Sequence, residues 1–194
     1  MLAIHNLSTQ CLNQVSFDVQ AGECVCIHGK SGSGKTLLLR AIADLDQNTG
    51  EIHLNGQSRA HFTPVDWRKQ VTYLPAESHW WQDDVGSHFT SASIDYSALA
   101  LPEDIHQWQV SRLSTGEKQR LSLLRALDHQ PKVLLMDETT ANLDDENALR
   151  VEQHIKNKLE QGLTVIWVSH NQAQRQRMAD TSWQIDQGKL IRES

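Results

Sequence analysis

Eight consecutive residues, Gly29-Lys30-Ser31-Gly32-Ser33-Gly34-Lys35-Thr36, carry the clearest chemistry in this 194-residue chain. They fit G-x-x-x-x-G-K-[ST], a spacing suited to phosphate. Glycines let backbone N–H groups curl round a phosphate without Cβ clashes. A helix start just beyond adds unpaired N–H groups and partial positive charge. Lys35 is placed to reach β and γ phosphates, and the Thr36 hydroxyl to ligate Mg²⁺. Two acids, Asp137-Glu138, follow the apolar run Val133-Leu134-Leu135-Met136. In a parallel sheet, ligands sit at the carboxyl ends of such strands. Asp137 suits the metal shell, and Glu138 suits a general base that polarises an attacking water. A second apolar run, Thr164 to Val168, ends in Ser169-His170. A histidine there can hydrogen-bond a γ-phosphate and orient the water.

These groups need a scaffold, and the patterning supplies one. Cys24 to His28 reads as the strand before the loop, and Leu37 to Ala43 as the helix after it. Residues 2–7 and 15–19 read as short strands, the second from the alternation of Val15, Phe17 and Val19. Glu51 to Gly56 reads as a strand ending in a turn, Pro64 to Arg68 as a short helix opened by proline, and Val71 to Leu74 as a strand closed by Pro75. Ser114-x-x-Glu117 has the form of a capping box, so a helix is expected from there to about Leu127. Asp145 to Glu160 carries an apolar stripe of Ala148, Val151, Ile155 and Leu159. Ser182 to Asp186 and Lys189 to Arg192 form a candidate hairpin about Gln187-Gly188. Strands alternating with helices imply one α/β domain with a mainly parallel sheet. Residues 76–112 lack a clear period and are read as a small helical insert.

Bulk properties narrow the function. A net charge of −6 gives no basic field, so broad nucleic-acid binding is not expected. No apolar run approaches 18 residues, and the start of the chain has no signal-peptide pattern. Three cysteines, Cys11, Cys24 and Cys26, do not make a disulfide framework and suit a reducing compartment. Cys24 and Cys26 are expected to be buried thiols on one side of a strand.

Five motifs in order then resemble the ATP-binding subunit of a bacterial ABC transporter along nearly the whole chain. Gly29 to Thr36 matches the family's Walker A, and Leu113-Ser114-Thr115-Gly116-Glu117 resembles its signature. Val133 to Glu138 matches Walker B with its catalytic glutamate. Asp144, in Ala141-Asn142-Leu143-Asp144, matches the D-loop, and His170 the switch histidine. The resemblance implies a P-loop NTPase with a parallel central sheet, an antiparallel β subdomain and a helical insert at about 77–128, all in one domain over 1–194. It implies ATP and Mg²⁺ as ligands and a head-to-tail homodimer with ATP at the interface. One subunit would give Gly29 to Thr36, Asp137, Glu138 and His170; the other would present Ser114, Thr115, Gly116 and Glu117, with Asp144 bridging the sites. It also implies a separately encoded membrane permease, no nucleic acid, and a place on the cytoplasmic face of the cell membrane. The alternative is a soluble regulatory or assembly module switched by ATP without transport.

Three positions depart from the family pattern. Ala76 stands where the family usually has a metal-touching glutamine. The segment Asn6 to Gln14 has no aromatic to stack on an adenine, so base recognition is expected to be loose. Thr115 stands where the signature usually has glycine. Trp80, Trp81 and Phe89 fit either a groove for the permease or the insert's own core.

Overall fold

β1 (Leu2–Ser8) opens on the buried apolar run Leu2-Ala3-Ile4, whereas β2 (Val15–Val19) alternates apolar and polar residues and its burial alternates strictly. A computed structural model describes residues 1–91 and 93–193 of the chain. β1 lies between β2 and β4 (Thr49–Leu54), and β5 (Gln57–Ser58) extends this antiparallel sheet. The second sheet contains β3 (Cys24–Gly29), β6 (Val71–Leu74), β7 (Val133–Asp137), β8 (Thr164–Val168), β9 (Thr181–Asp186) and β10 (Lys189–Arg192). Its order is β10-β9-β3-β8-β7-β6. All neighbours are parallel except β10, which pairs antiparallel with β9. The turn between those two strands has both Gln187 and Gly188 at positive φ, as a tight hairpin requires.

The central strands β7 and β8 are buried along their whole length, as continuous apolar runs demand. Helices cover both faces: α1 (Lys35–Ile42), α2 (Pro64–Gln70), α3 (Thr115–Asp128), α4 (Asp145–Glu160) and α5 (Gln172–Met178). β3 serves two cores. Val25 and Ile27 face Leu38, Ile42 and the antiparallel sheet. Cys24 and Cys26 face the core shared with α3 and α4. Both thiols are buried, and the hydrogen bond from Cys26, then burial, raises the Cys24 pKa well above the ordinary thiol value. On α2, Thr63 caps the first turn, Pro64 takes the N1 position, and the Trp67 indole donates to Ile42 O at 2.9 Å.

The sequence reading missed α5. Its residues, Gln-Ala-Gln-Arg-Gln-Arg-Met, show no apolar stripe, and the helix is held instead by an Asn171 cap and by buried polar contacts. Among the described residues between Ala76 and Leu113, the insert is helical only in short 3-10 turns, at Gly86–His88, Ser97–Leu99, Glu103–Gln107 and Val110–Arg112. Val85, Leu99, Leu101 and Ile105 give it a core continuous with α3.

Candidate functional site

The carboxyl ends of three parallel strands meet at one edge of the sheet. Ile27 of β3 registers with Val168 of β8, and Asp137 of β7 registers with the same Val168. The amide of Ser169 donates to Ile27 O and that of Glu138 to Val168 O, so the loops leaving these strands are pinned together.

Beyond β3 the Gly29–Thr36 loop turns into α1. Gly29 and Gly34 have φ of 151° and 103°. A Cβ on Gly29 would come within 2.6 Å of Ile185 O, and one on Gly34 within 3.2 Å of Cys11 Cβ. Backbone conformation favours glycine at both positions, and at Gly29 the close backbone oxygen demands it. Gly34 is the N-cap of α1 and offers no side-chain partner, leaving the first-turn amides open to an anion. Lys35 is buried, and its ammonium donates to Gly29 O and Lys30 O at 3.0 Å each. The positive charge thus lies within the loop.

Asp137 is the hub between strand and loop. The Thr36 hydroxyl donates to its Oδ2 at 2.7 Å, and the Tyr73 hydroxyl donates to the same oxygen at 3.0 Å. Burial, with the Asp137 charge beside it, raises the Tyr73 pKa far above the usual phenol value, so the phenol remains a donor. Tyr73 was not among the residues expected at the site. It lies on β6, three residues before Ala76, and its register opposite Leu135 brings the hydroxyl to the strand end. Only its place in a strand adjoining β7 could have flagged it. Glu138, next in chain, has φ of 51°. This left-handed turn sends its carboxylate to His170, with Oε1 and Nε2 2.9 Å apart. Lys35, Thr36, Asp137, Glu138 and His170 are thus gathered at one edge.

The signature residues are built separately. Ser114 caps α3, accepting from the Glu117 amide and donating to Glu117 Oε2 at 2.8 Å, while its own amide donates to the same oxygen. This is the capping box read from the sequence. It also puts a carboxylate at the helix start, where a phosphate would bind. Asp144 caps α4 through the Asn147 amide. Asn147 in turn accepts from Arg120 Nη1 at 2.6 Å and donates to Asp144 Oδ2, and Arg120 Nε reaches Gly116 O at 3.3 Å. Arg120 therefore joins the starts of α3 and α4. Thr115 is the first residue of α3, where its branched side chain meets no preceding turn. Among the described residues, no hydrogen bond or ion pair links Ser114–Glu117 to Gly29–Thr36.

In the segment before β2, Leu12 is fully buried against Gly34, while Cys11 is exposed beside it. In the insert, Phe89 meets Tyr96 edge-on at 5.8 Å, and Trp80 is half-buried. Trp81 remains 67% exposed. The Arg125 guanidinium lies over Trp80 and Trp81, 4.6 and 4.8 Å from the ring centres. The aromatics thus divide, with Trp80 and Phe89 serving the core and Trp81 the surface.

Comparison with known proteins matches residues 12–141 to the family described as ABC transporter. The chain belongs to the ABC transporter family. A relative from Escherichia coli, a probable iron export ATP-binding protein, is 35% identical over 175 residues, covering 82% of this chain and 78% of its own length. An aliphatic sulfonates import ATP-binding protein of Pseudomonas fluorescens is 33% identical, covering 97% of this chain and 75% of its own. Among solved structures, a bacterial Atm1-family ABC exporter with ATP bound superposes with a TM-score of 0.84 at 25% identity. That match covers 98% of this chain, which spans 38% of the exporter chain. This ABC subunit binds and hydrolyses ATP and powers a membrane permease, and the transport-free reading is not favoured. Among the described residues, no helix is long and apolar enough to cross a membrane.

Proposed function

We propose that two copies of this subunit bind two ATP molecules head to tail, each nucleotide lying between the Gly29–Thr36 loop of one copy and Ser114–Glu117 of the other. The observation that carries this reading is the separation of two phosphate-seeking helix starts. One copy contains a phosphate loop with its acids, and a second exposed cap at Ser114 that is bonded to none of them. A twofold pairing gives each cap a phosphate.

In this arrangement Lys35 and the first amides of α1 hold the β and γ phosphates. Thr36 and Asp137, whose oxygens lie 2.7 Å apart, are hard oxygen ligands that fit Mg²⁺. When bound, the ion neutralises charge on the β and γ oxygens. Tyr73 keeps Asp137 turned toward Thr36. Glu138 takes a proton from the attacking water, and His170 holds that water and the γ-phosphate in line. The new oxygen–phosphorus bond forms as the bond to the bridging β–γ oxygen breaks, releasing ADP and phosphate. For Ser114 to donate to the partner's nucleotide it must leave Glu117, so closure exchanges an internal cap for a phosphate. Glu138→Gln retains nucleotide but not the base, so light scattering should show ATP-dependent dimers of this variant and monomers with ADP. Monomers at saturating Mg²⁺–ATP would refute the sandwich.

The permease is proposed to dock on the insert, on the cytoplasmic face of the membrane. A groove of about 350 Å³ between the insert and the end of β6 is lined by Pro75, Trp81, His88, Phe89 and Arg125. Arg125 Nη1 is buried there without an acceptor among the described residues. Replacing the exposed Trp81 with alanine should strongly reduce recovery of the subunit with membranes and leave ATP affinity within about twofold. Retained membrane association would count against docking there.

A further inference from the structure

Behind Glu138 and His170 lies a buried polar cluster that the reaction above leaves unused. Gln174, in the first turn of α5, is 2% exposed. Its Nε2 lies 3.0 Å from Glu152 Oε1 on α4 and 3.0 Å from Thr140 Oγ1, and its Oε1 lies 2.7 Å from Ser169 Oγ. Glu152, 3% exposed, also receives Arg177 Nε and Nη2 at 2.7 Å each. A carboxylate only accepts, so the amide must turn its NH₂ toward Glu152 and its carbonyl toward Ser169. That fixes two directions: Ser169 donates to Gln174, and Gln174 donates to Glu152, while Thr140 Oγ1 lies between the two ends of the amide, 3.0 Å from Nε2 and 3.2 Å from Oε1.

The positions of these partners give the cluster its meaning. Thr140 follows Glu138 by two residues, and Ser169 immediately precedes His170. One side-chain amide therefore ties the loop carrying Glu138 to the loop carrying His170. The same loops wall a cleft of about 310 Å³ in which Glu138, Thr140, Leu143, His170 and Gln174 all take part. Stability alone does not call for this construction, because well-packed apolar groups commonly replace a buried ion pair without loss. A satisfied polar network instead specifies one arrangement.

The geometry points to Gln174 as a positioning residue that sets the spacing of Glu138 and His170 for water attack, anchored by the Glu152–Arg177 pair. This rests on the ATPase reading of the site. Gln174 acts through Thr140 and Ser169, the residues it bonds. Its loss lets the two loops part, while the Gly29–Thr36 loop keeps its hold on the phosphates.

The test is steady-state hydrolysis and ATP affinity of the full chain carrying Gln174→Leu, Gln174→Glu, or Gln174→Glu with Glu152→Gln. Gln174→Leu should lower kcat about 10–100-fold and leave ATP affinity within about twofold, because misplacement of catalytic groups by an ångström has effects of this size. Gln174→Glu sets two carboxylates together; the other charged groups around them are Arg177, Arg175, Asp145, Glu138 and His170. One carboxyl must then hold a proton to donate, so kcat of this variant, taken relative to wild type at each pH, should recover as pH falls. Adding Glu152→Gln reverses donor and acceptor and should raise kcat at least about threefold over Gln174→Glu alone, since contacting residues couple. If Gln174→Leu does not fold, Thr140→Val removes the threonine's contacts with Gln174, Ser169→Ala removes the bond to Gln174 together with one from the Asn171 amide, and both should show the same split. Wild-type kcat in Gln174→Leu would overturn the proposal. So would equal losses in kcat and affinity with no rescue by the double variant. A silent wild type would overturn the ATPase reading itself, whereas an active wild type beside a normal Gln174→Leu tells against Gln174 alone.

Discussion

Around Asp137, hydroxyls from α1 and β6 converge on one carboxylate oxygen, and Lys35 is already seated in its loop. Around Ser114, the side chain and its own amide are satisfied by Glu117, three residues on, and the helix start is exposed. The first region is assembled from distant parts of the chain and is rigid because each part holds another. The second is local, capped by itself, and free to exchange its partner. Preorganisation thus sits on the side that holds the reacting groups, where misplacement affects rate most. Adaptability sits on the side that must meet a second molecule.

The strongest way to break this contrast is to disable each region in a different copy. Lys35→Ala and Ser114→Arg should each lower ATPase turnover about 100–1,000-fold. Mixed in equal amounts they should recover about a quarter of wild-type turnover, because half the dimers then contain one intact composite site of two. No recovery would place both regions in the service of a single copy. Tyr73→Phe tests the preorganised side more gently. Removing the hydroxyl from Asp137 should raise the Mg²⁺ concentration for half-maximal activity about tenfold, a typical effect for a group that orients a metal ligand. Mn²⁺ binding measured by electron spin resonance should weaken in parallel, and unchanged binding would mean that Thr36 alone fixes Asp137.

The smallest effect concerns α4, which carries Asp144. Burial, followed by the nearby Lys158 charge, holds His154 below the usual histidine pKa of about 6.5. The folded state therefore binds a proton less readily than the unfolded state. The contribution is present above about pH 6.5 and is lost as pH falls through the depressed folded value. In His154→Gln the loss of stability between pH 7 and 5, followed by urea melts, should be reduced by less than about 1 kcal/mol, because solvent screens a half-buried group. An unchanged slope would clear His154.

How much of this was legible in sequence follows the same division. The Gly29–Thr36 loop, β7, β8 and the Ser114 box could be read because their physics is local: glycine at positive φ, unbroken apolar runs, a cap three residues before its partner. Tyr73, Gln174 and Glu152 could not. A tyrosine in a strand or a glutamine on a polar helix looks like ordinary surface until register and crossing bring it to a carboxylate 64 or 22 residues away. The turns of 76–112 were obscure for a related reason. They are ordered by aromatic and cationic stacking around Trp80, Trp81 and Arg125, which has no period.

The strand order carries a consequence in time. β3, which leads into the phosphate loop, is flanked by β8 and β9, whose residues lie about 140–160 positions later in the chain. On a ribosome the loop-bearing strand must wait for about 140 further residues before it gains either neighbour. Until then its edges, carrying Cys24 to Ile27, remain open to mispairing, and long-range parallel pairing of this kind is slow. A nascent chain therefore completes its nucleotide site only once β8 and β9 have been made and have joined β3.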